Sequence, residues 1–297
     1  MAVKTVQAVI NGTTYTLTLN SSTGKYETTV TAPTKSSYNQ SGHYYPVTIT
    51  ATDDAGNSTT KTATDSVLGT ALQLKVKEKV APVQSITSPT NGSVLTNNKP
   101  VITWTVTDDD SGVDPSTIKI KIDSTTITDG ITKTASANGY TCTYTPATAL
   151  SDGNHTYTIY ASDYDGNAAT TVSATIKIDT VAPTLNVTAP AENLVTNQTK
   201  VTVSGTTNDA TSSPVTVKVN GNVVTVGSNG SFSTEVALTE GSNTITIVAT
   251  DGAGKATTVT RTVRLSTSAP VISAVTITPN PVDAGATYVI SVTVTDE

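Results

Sequence analysis

Acidic turns are the part of this 297-residue sequence best equipped for chemistry. Asp108, Asp109 and Asp110 run together with Asp114 close behind, and Asp163, Asp165 and Asn167 alternate along a second short stretch. Hard cations such as calcium accept oxygen ligands at such spacings, so Asp163, Asp165, Asn167, Asp108 and Asp110 are the candidate calcium ligands. Turn chemistry competes with this reading, because Asp and Asn side chains also hydrogen-bond their own backbone. The loop after Asp165 lacks the downstream bidentate Glu of an EF-hand. No other cofactor is expected.

Other reactive side chains are sparse. His43, in Ser41-Gly42-His43-Tyr44-Tyr45, and His155, in Gly153-Asn154-His155-Thr156-Tyr157, read as equivalent positions just before the same strand of two repeats. Recurrence at a repeat position points to a structural choice for entering that strand. Cys142 is the only cysteine and has no partner for an intrachain disulfide. Trp104 shares a face with Ile102 and Val106, which assigns it to a core rather than to a sugar-stacking platform. Tyr44, Tyr45, Tyr157 and Tyr160 are the candidates for exposed stacking or for tyrosine-corner hydrogen bonds. Catalysis needs a base, a nucleophile and an orienting group brought together. Hardly any candidates exist, so no catalytic residue is expected and the chain reads as a non-enzyme.

The elements that must position these residues are strands. Apolar residues make up 36% and charged residues only 13% of the chain, and the rest is rich in Thr, Ser, Asn and Gly. β-Branched residues suit a pleated surface, while Asn, Asp and Gly supply turns. Period-2 runs such as Ile118-Lys119-Ile120-Lys121-Ile122 and Val215-Thr216-Val217-Lys218-Val219 are followed by turn signals such as Asn220-Gly221. The net charge of -6, with no basic stripe, argues against nucleic acid as a partner. No apolar run approaches the ~18 residues of a membrane helix, so no membrane insertion is expected. Met1-Ala2-Val3-Lys4-Thr5-Val6 does not have the basic-then-apolar layout of a signal peptide.

Repeats decide the architecture. Ala51-Thr52-Asp53-Asp54-Ala55-Gly56-Asn57, Ala161-Ser162-Asp163-Tyr164-Asp165-Gly166-Asn167 and Ala249-Thr250-Asp251-Gly252-Ala253-Gly254-Lys255 each follow an alternating strand. Pro-marked junctions come after them at Val80-Ala81-Pro82, Val181-Ala182-Pro183 and Ser268-Ala269-Pro270. On these residues the sequence resembles the tandem bacterial immunoglobulin-like repeats of surface proteins and phage tail proteins. The resemblance implies an all-β fold of tandem immunoglobulin-like β-sandwiches in an elongated array. Lys255 departs from the Asn of the other two copies.

The expected organisation is uneven. Residues 1–79 read as an immunoglobulin-like domain lacking its first two strands, 80–181 and 182–268 as complete domains, and 269–297 as the first two strands of another. Tyr288-Val289-Ile290-Ser291-Val292-Thr293-Val294-Thr295-Asp296 matches Ile102-Thr103-Trp104-Thr105-Val106-Thr107-Asp108. The tail of one subunit is therefore expected to complete residues 1–79 of a neighbour by strand addition, with Val271, Val275, Ile277, Tyr288, Ile290, Val292 and Val294 as the interface. A heterologous contact of this kind propagates into a head-to-tail homopolymer. The resulting expectation is a non-enzymatic structural filament, extracellular, on a virion or a cell surface. The alternative is an adhesive array that binds host-surface carbohydrate.

Overall fold

A computed structural model describes residues 2–295. The chain is nearly all β; among the described residues the only helical elements are short 3-10 turns at Ser41–His43 and Gly69–Leu72. It divides into two compact units, the first ending at Ile178 and the second starting at Asp179.

The first unit contains a complete sandwich. One sheet orders the strands Thr125–Ile127, Val113–Ile122, Gly153–Asp163, Val172–Ile178 and Val94–Leu95. The other orders Thr132–Ser136, Gly139–Tyr144, Ile102–Thr107 and Val83–Ser88. Alternation along each strand turns one side inward. Ile102, Trp104 and Val106 from one sheet pack into a common core with Ile118, Ile120, Tyr157, Ile159 and Ile176 from the other. Trp104 pairs directly with Cys142 on the adjacent strand, and both are fully buried.

Ahead of this sandwich lies a sheet that, among the described residues, has no second sheet across from it. It orders Lys25–Glu27, Thr13–Asn20, Val3–Ile10, Tyr45–Asp53 and Ser58–Lys61, and Gln73–Leu74 pairs with the start of Tyr45–Asp53. Among the apolar residues of its strands only Val6, Ala8 and Tyr45 are buried, with Ala63 buried in the turn just after Ser58–Lys61. Its first hairpin turns at Asn11 (φ 49) and Gly12 (φ 75), the left-handed pair that a two-residue type I′ turn requires. The segment from Ser36 to His43 packs onto the sandwich. Asp110 accepts the Ser36 N–H with both carboxylate oxygens at 3.1 Å, and the Tyr38 ring stacks on Tyr164 at 4.0 Å.

The second unit contains another sandwich. Thr184–Ala189, Lys200–Asn208 and Ser231–Ala237 face Leu194–Thr196, Ala256–Leu265, Gly241–Thr250, Thr216–Val219 and Asn222–Val224 across a core that includes Val203, Phe232, Ile245, Ile247 and Val263. Here the strand pair that carries Trp104 and Cys142 in the other sandwich carries Gly205 opposite Phe232. The bulk has moved across the pair: a Cβ on Gly205 would lie 2.2 Å from the Asn186 carbonyl oxygen and 2.8 Å from the Phe232 ring.

Beyond this core, Val271–Thr278 and Val289–Thr295 form a two-stranded antiparallel sheet. Val275 pairs with Val292 and Ile277 with Ile290, and every residue of both strands is exposed. Tyr288 immediately precedes the second strand and is also exposed. Met1 and Asp296, which bear on the expectations about the two ends, lie outside the described residues.

Candidate functional site

The repeated Ala-x-Asp turn is built by its aspartate. In the first copy, Asp53 Oδ1 accepts the N–H of Ala55 at 2.9 Å and of Asn57 at 2.8 Å, and Asn57 Nδ2 donates to Oδ2 at 2.9 Å. In the second, Asp163 Oδ1 accepts the Asn167 N–H at 2.8 Å while Asn167 Nδ2 fills Oδ2 at 2.7 Å. The third copy keeps the backbone half: Asp251 Oδ1 accepts from Ala253 at 2.8 Å and from Lys255 at 2.9 Å. Lys255 has no side-chain amide to give, and Asp251 Oδ2 is buried without a partner.

Two groups of carboxylates form around these turns. Glu78, Asp108 and Asp163 each bring an oxygen within 4.8 Å of the others, and so do Asp179, Asp209 and Asp251. The groups are equivalent along the sequence. Glu78 stands four residues before Pro82 and Asp179 four before Pro183, Asp108 and Asp209 each follow the strand that crosses the core, and Asp163 and Asp251 are the turn aspartates. Reading the turns alone missed Glu78, Asp179 and Asp209. Their spacing from the Ala-Pro junction was the available signal.

Of the five expected calcium ligands, the structure groups the carboxylates of Asp108 and Asp163, engages Asp165 and Asn167 in hydrogen bonds beside them, and turns Asp110 away. Asp110 holds Ser36, as above. Asp165 Oδ2 accepts the Glu78 N–H at 3.0 Å, and its carbonyl accepts Lys77 Nζ at 3.1 Å. Asn167 directs its amide to Asp163 and to the Glu78 carbonyl at 3.3 Å. Asp108 Oδ1 is taken by the N–H groups of Asp110 at 3.0 Å and Gly112 at 2.7 Å, and Glu78 Oε1 by that of Ser111 at 2.6 Å. None of the oxygens of Glu78, Asp108 and Asp163 is both buried and unpartnered.

The second group is deeper. Asp179, Asp209 and Asp251 are 0%, 7% and 6% exposed. Asp209 Oδ1 accepts the N–H groups of Thr211 at 2.8 Å and Ser212 at 2.6 Å, and Asp179 Oδ1 that of Val181 at 3.3 Å. Asp179 Oδ2, like Asp251 Oδ2, is buried with no hydrogen-bond donor.

The two histidines are not equivalent, which corrects the reading of their repeat positions. Counting back from Asp163 and Asp53, His155 aligns with Tyr45 and His43 with Gly153. His155 lies inside the strand Gly153–Asp163 and is buried, whereas His43 is exposed in a 3-10 turn and stacks on Tyr38 at 4.2 Å. His155 Nδ1 meets Asp123 Oδ2 at 2.8 Å and Nε2 meets the Ser151 carbonyl at 2.8 Å. Both ring nitrogens are engaged, so neither is free for a substrate. Burial disfavours the imidazolium, but the bonds to Asp123 and Ser151 outweigh it and hold the His155 pKa above its usual value.

Tyr157 and Tyr45 are core residues: Tyr157 donates its hydroxyl to the Pro89 carbonyl, and Tyr45 to that of Lys35 at 3.2 Å. Tyr160 is half-buried beneath Lys119, whose Nζ lies 5.4 Å from the ring centre. Burial pushes the Cys142 thiol up to about 11. A cleft of about 370 Å³ opens between Tyr38, Tyr140, Tyr164 and the Asp108–Ser111 turn. A second, of about 790 Å³, is lined by Thr184, Asn186, Asn208 and their neighbours and carries no titratable side chain.

Residues 82–159 match the bacterial Ig domain family, and residues 183–267 match domain B of glucodextranase. Bacillopeptidase F of Bacillus subtilis (strain 168) is 34% identical over 139 residues, which is 47% of this chain and 9% of that protein's length. Among solved structures, an I-band fragment of titin is similar at 12% identity and a TM-score of 0.46, covering 89% of this chain and 88% of that one. The fibronectin(III)-like modules of Clostridium thermocellum CbhA are 21% identical with a TM-score of 0.35, covering 62% of this chain and 94% of theirs. A tetra-tandem repeat from the extending region of a large adhesion protein is 20% identical with a TM-score of 0.34, covering 98% and 79%. Two face-to-face sandwiches with the same turn, the same Ala-Pro junction and these matches identify the chain as a tandem array of immunoglobulin-like β-sandwiches, one of which, residues 82–159, matches the bacterial Ig domain family.

Proposed function

We propose that this array is a non-enzymatic structural subunit of an extracellular fibre, on a virion or a cell surface, and that copies join head to tail by strand complementation. One observation carries the reading: the bare sheet of Val271–Thr278 and Val289–Thr295 repeats the antiparallel pairing of Val83–Ser88 with Ile102–Thr107, a pair whose inward residues Gln84, Ile102, Trp104 and Val106 are buried in the complete sandwich. Each pair is antiparallel with one register break in its first strand, at the end of that strand in one pair, Ile86/Ser88, and near its start in the other, Ile272/Ala274. Aligned on sequence, Ile290, Val292 and Val294 stand where Ile102, Trp104 and Val106 stand. The sheet of Val3–Ile10 and Tyr45–Asp53 presents the complementary need, a layer of strands that, among the described residues, has no facing layer. Covering Val275, Ile277, Ile290 and Val292 would contribute roughly 1.5–3 kcal/mol each before ordering entropy is subtracted. For the location, one of its sandwiches matches the bacterial Ig domain family, and none of its helices among the described residues is long and apolar enough to cross a membrane.

The experiment is light scattering coupled to size-exclusion chromatography, with negative-stain microscopy of the same fractions. Beaded polymers that disappear in the Ile290→Asp, Val292→Asp variant support the reading. A wild type that stays a 30.4 kDa monomer at high concentration overturns it. The cleft beside Tyr38, Tyr140 and Tyr164 supports a second reading, carbohydrate binding by an adhesive array. Saturable binding on a glycan panel, lost in Tyr164→Ala, would favour that reading.

A further inference from the structure

We propose that Asp179, Asp209 and Asp251 form a calcium site, independently of whether copies assemble. Three carboxylates gathered in a protein interior repel one another, and each ionised oxygen taken from water needs a donor or a cation. Backbone N–H groups satisfy one oxygen of each residue, but Asp179 Oδ2 and Asp251 Oδ2 are buried with no donor. Among the described residues no lysine or arginine forms an ion pair with any of the three. The spacing suits one shared ion. Ligands on a common calcium at 2.3–2.6 Å lie at most about 4.6–5.2 Å apart, and these oxygens fall within 4.8 Å of one another.

The donor set selects the metal. Carboxylate oxygens without His or Cys select a hard cation. Calcium accepts an irregular, largely dehydrated oxygen cage, whereas magnesium demands near-octahedral geometry and keeps most of its waters. In the equivalent group at Glu78, Asp108 and Asp163 no oxygen is both buried and without a donor. Part of the difference traces to one position: Asn57 and Asn167 donate to the second oxygen of their turn aspartate, and Lys255 leaves that of Asp251 open.

The test is calorimetric titration with calcium chloride and thermal unfolding of the full chain, first stripped with chelator. The wild type is expected to bind calcium and to unfold at a higher temperature in calcium than in chelator. Asp179→Asn combined with Asp251→Asn is expected to bind one calcium fewer per chain. In chelator it should unfold above the wild type, because two buried carboxylate oxygens without a donor are gone. Lys255→Asn, which restores the residue of the other two turns, is expected to weaken binding by about 10–100-fold, the usual effect of altering the groups around a metal ligand. Three results would overturn the site: no heat and no thermal shift with calcium in the wild type, undiminished stoichiometry in the double variant, or a double variant less stable than the wild type in chelator. Equal binding of magnesium chloride would overturn the assignment to calcium.

Discussion

The strand pair ending in Ile102–Thr107 and the pair ending in Val289–Thr295 carry the same alternating pattern and the same antiparallel pairing, yet Trp104 is fully buried and Val292 is half exposed. Pattern and turn geometry are enough to make a two-stranded sheet. They do not bury it. In the complete sandwich the inward face meets Ile118, Ile120, Tyr157 and Ile159 from a second sheet, whereas among the described residues no second sheet covers the terminal pair. Burial belongs to the layer, not to the strand.

Substitution at the aligned positions is the strongest way to break this comparison. Trp104→Ala is expected to destabilise its sandwich by about 3–5 kcal/mol, the usual range for emptying a buried aromatic site, as measured by urea unfolding followed by circular dichroism. An effect below ~1 kcal/mol would mean that the facing sheet does not close over the ring. Gly205→Ala should destabilise the other sandwich by roughly 1–3 kcal/mol. Adding Phe232→Ala should not rescue it, because the nearest atom to the new Cβ is the Asn186 carbonyl oxygen rather than the ring. Rescue would show that the strand backbone can shift.

The His155–Asp123 pair sharpens the comparison through pH. Its His155 pKa is raised, so its contribution is complete below the unfolded value of about 6.5 and is lost as pH rises through the folded value. For Asp123, burial opposes ionisation, but the bonds from His155 and Thr156 lower its pKa overall. Its contribution is present above about 3.9 and is lost as pH falls through the folded value. With Asp123 about half exposed, screening keeps the pair below about 1 kcal/mol. Denaturation midpoints should be highest between the two windows, and His155→Asn should flatten the profile.

The smallest stability effect is expected at the terminal pair itself. Val292→Cys in unassembled protein should change stability by no more than about 0.5 kcal/mol. Its thiol should react with a disulfide reagent at pH 8 at once, while native Cys142, buried and raised to about 11, should react only on unfolding. Slow labelling at position 292 would reveal a cover over the hairpin.

Much of the scaffold was legible in the chain. Alternating runs gave the strands, Ala-x-Asp turns gave the repeat, and the face shared by Ile102, Trp104 and Val106 pointed to a core. The equivalence of His43 and His155 failed because similar words, Gly-His-Tyr-Tyr and Gly-Asn-His-Thr-Tyr, stand two residues apart in register, and in a strand register decides which neighbours a side chain meets. The acidic site was half legible. Turn aspartates were visible as local motifs, but Glu78 and Asp179 lie in linkers, where only their spacing from the Ala-Pro junction marks them.

By itself the sequence determined period, turns and junctions, because these depend on residues within a few positions of one another. Only the tertiary structure decided which carboxylates meet and which of their oxygens find a donor. Asp179, Asp209 and Asp251 are separated by 30 and 42 residues along the chain, and their proximity follows from closing two sheets over one core. Lys255 shows the physical reason most plainly. As a local change it removes one amide, and its consequence exists only where folding has buried the oxygen that amide would have satisfied.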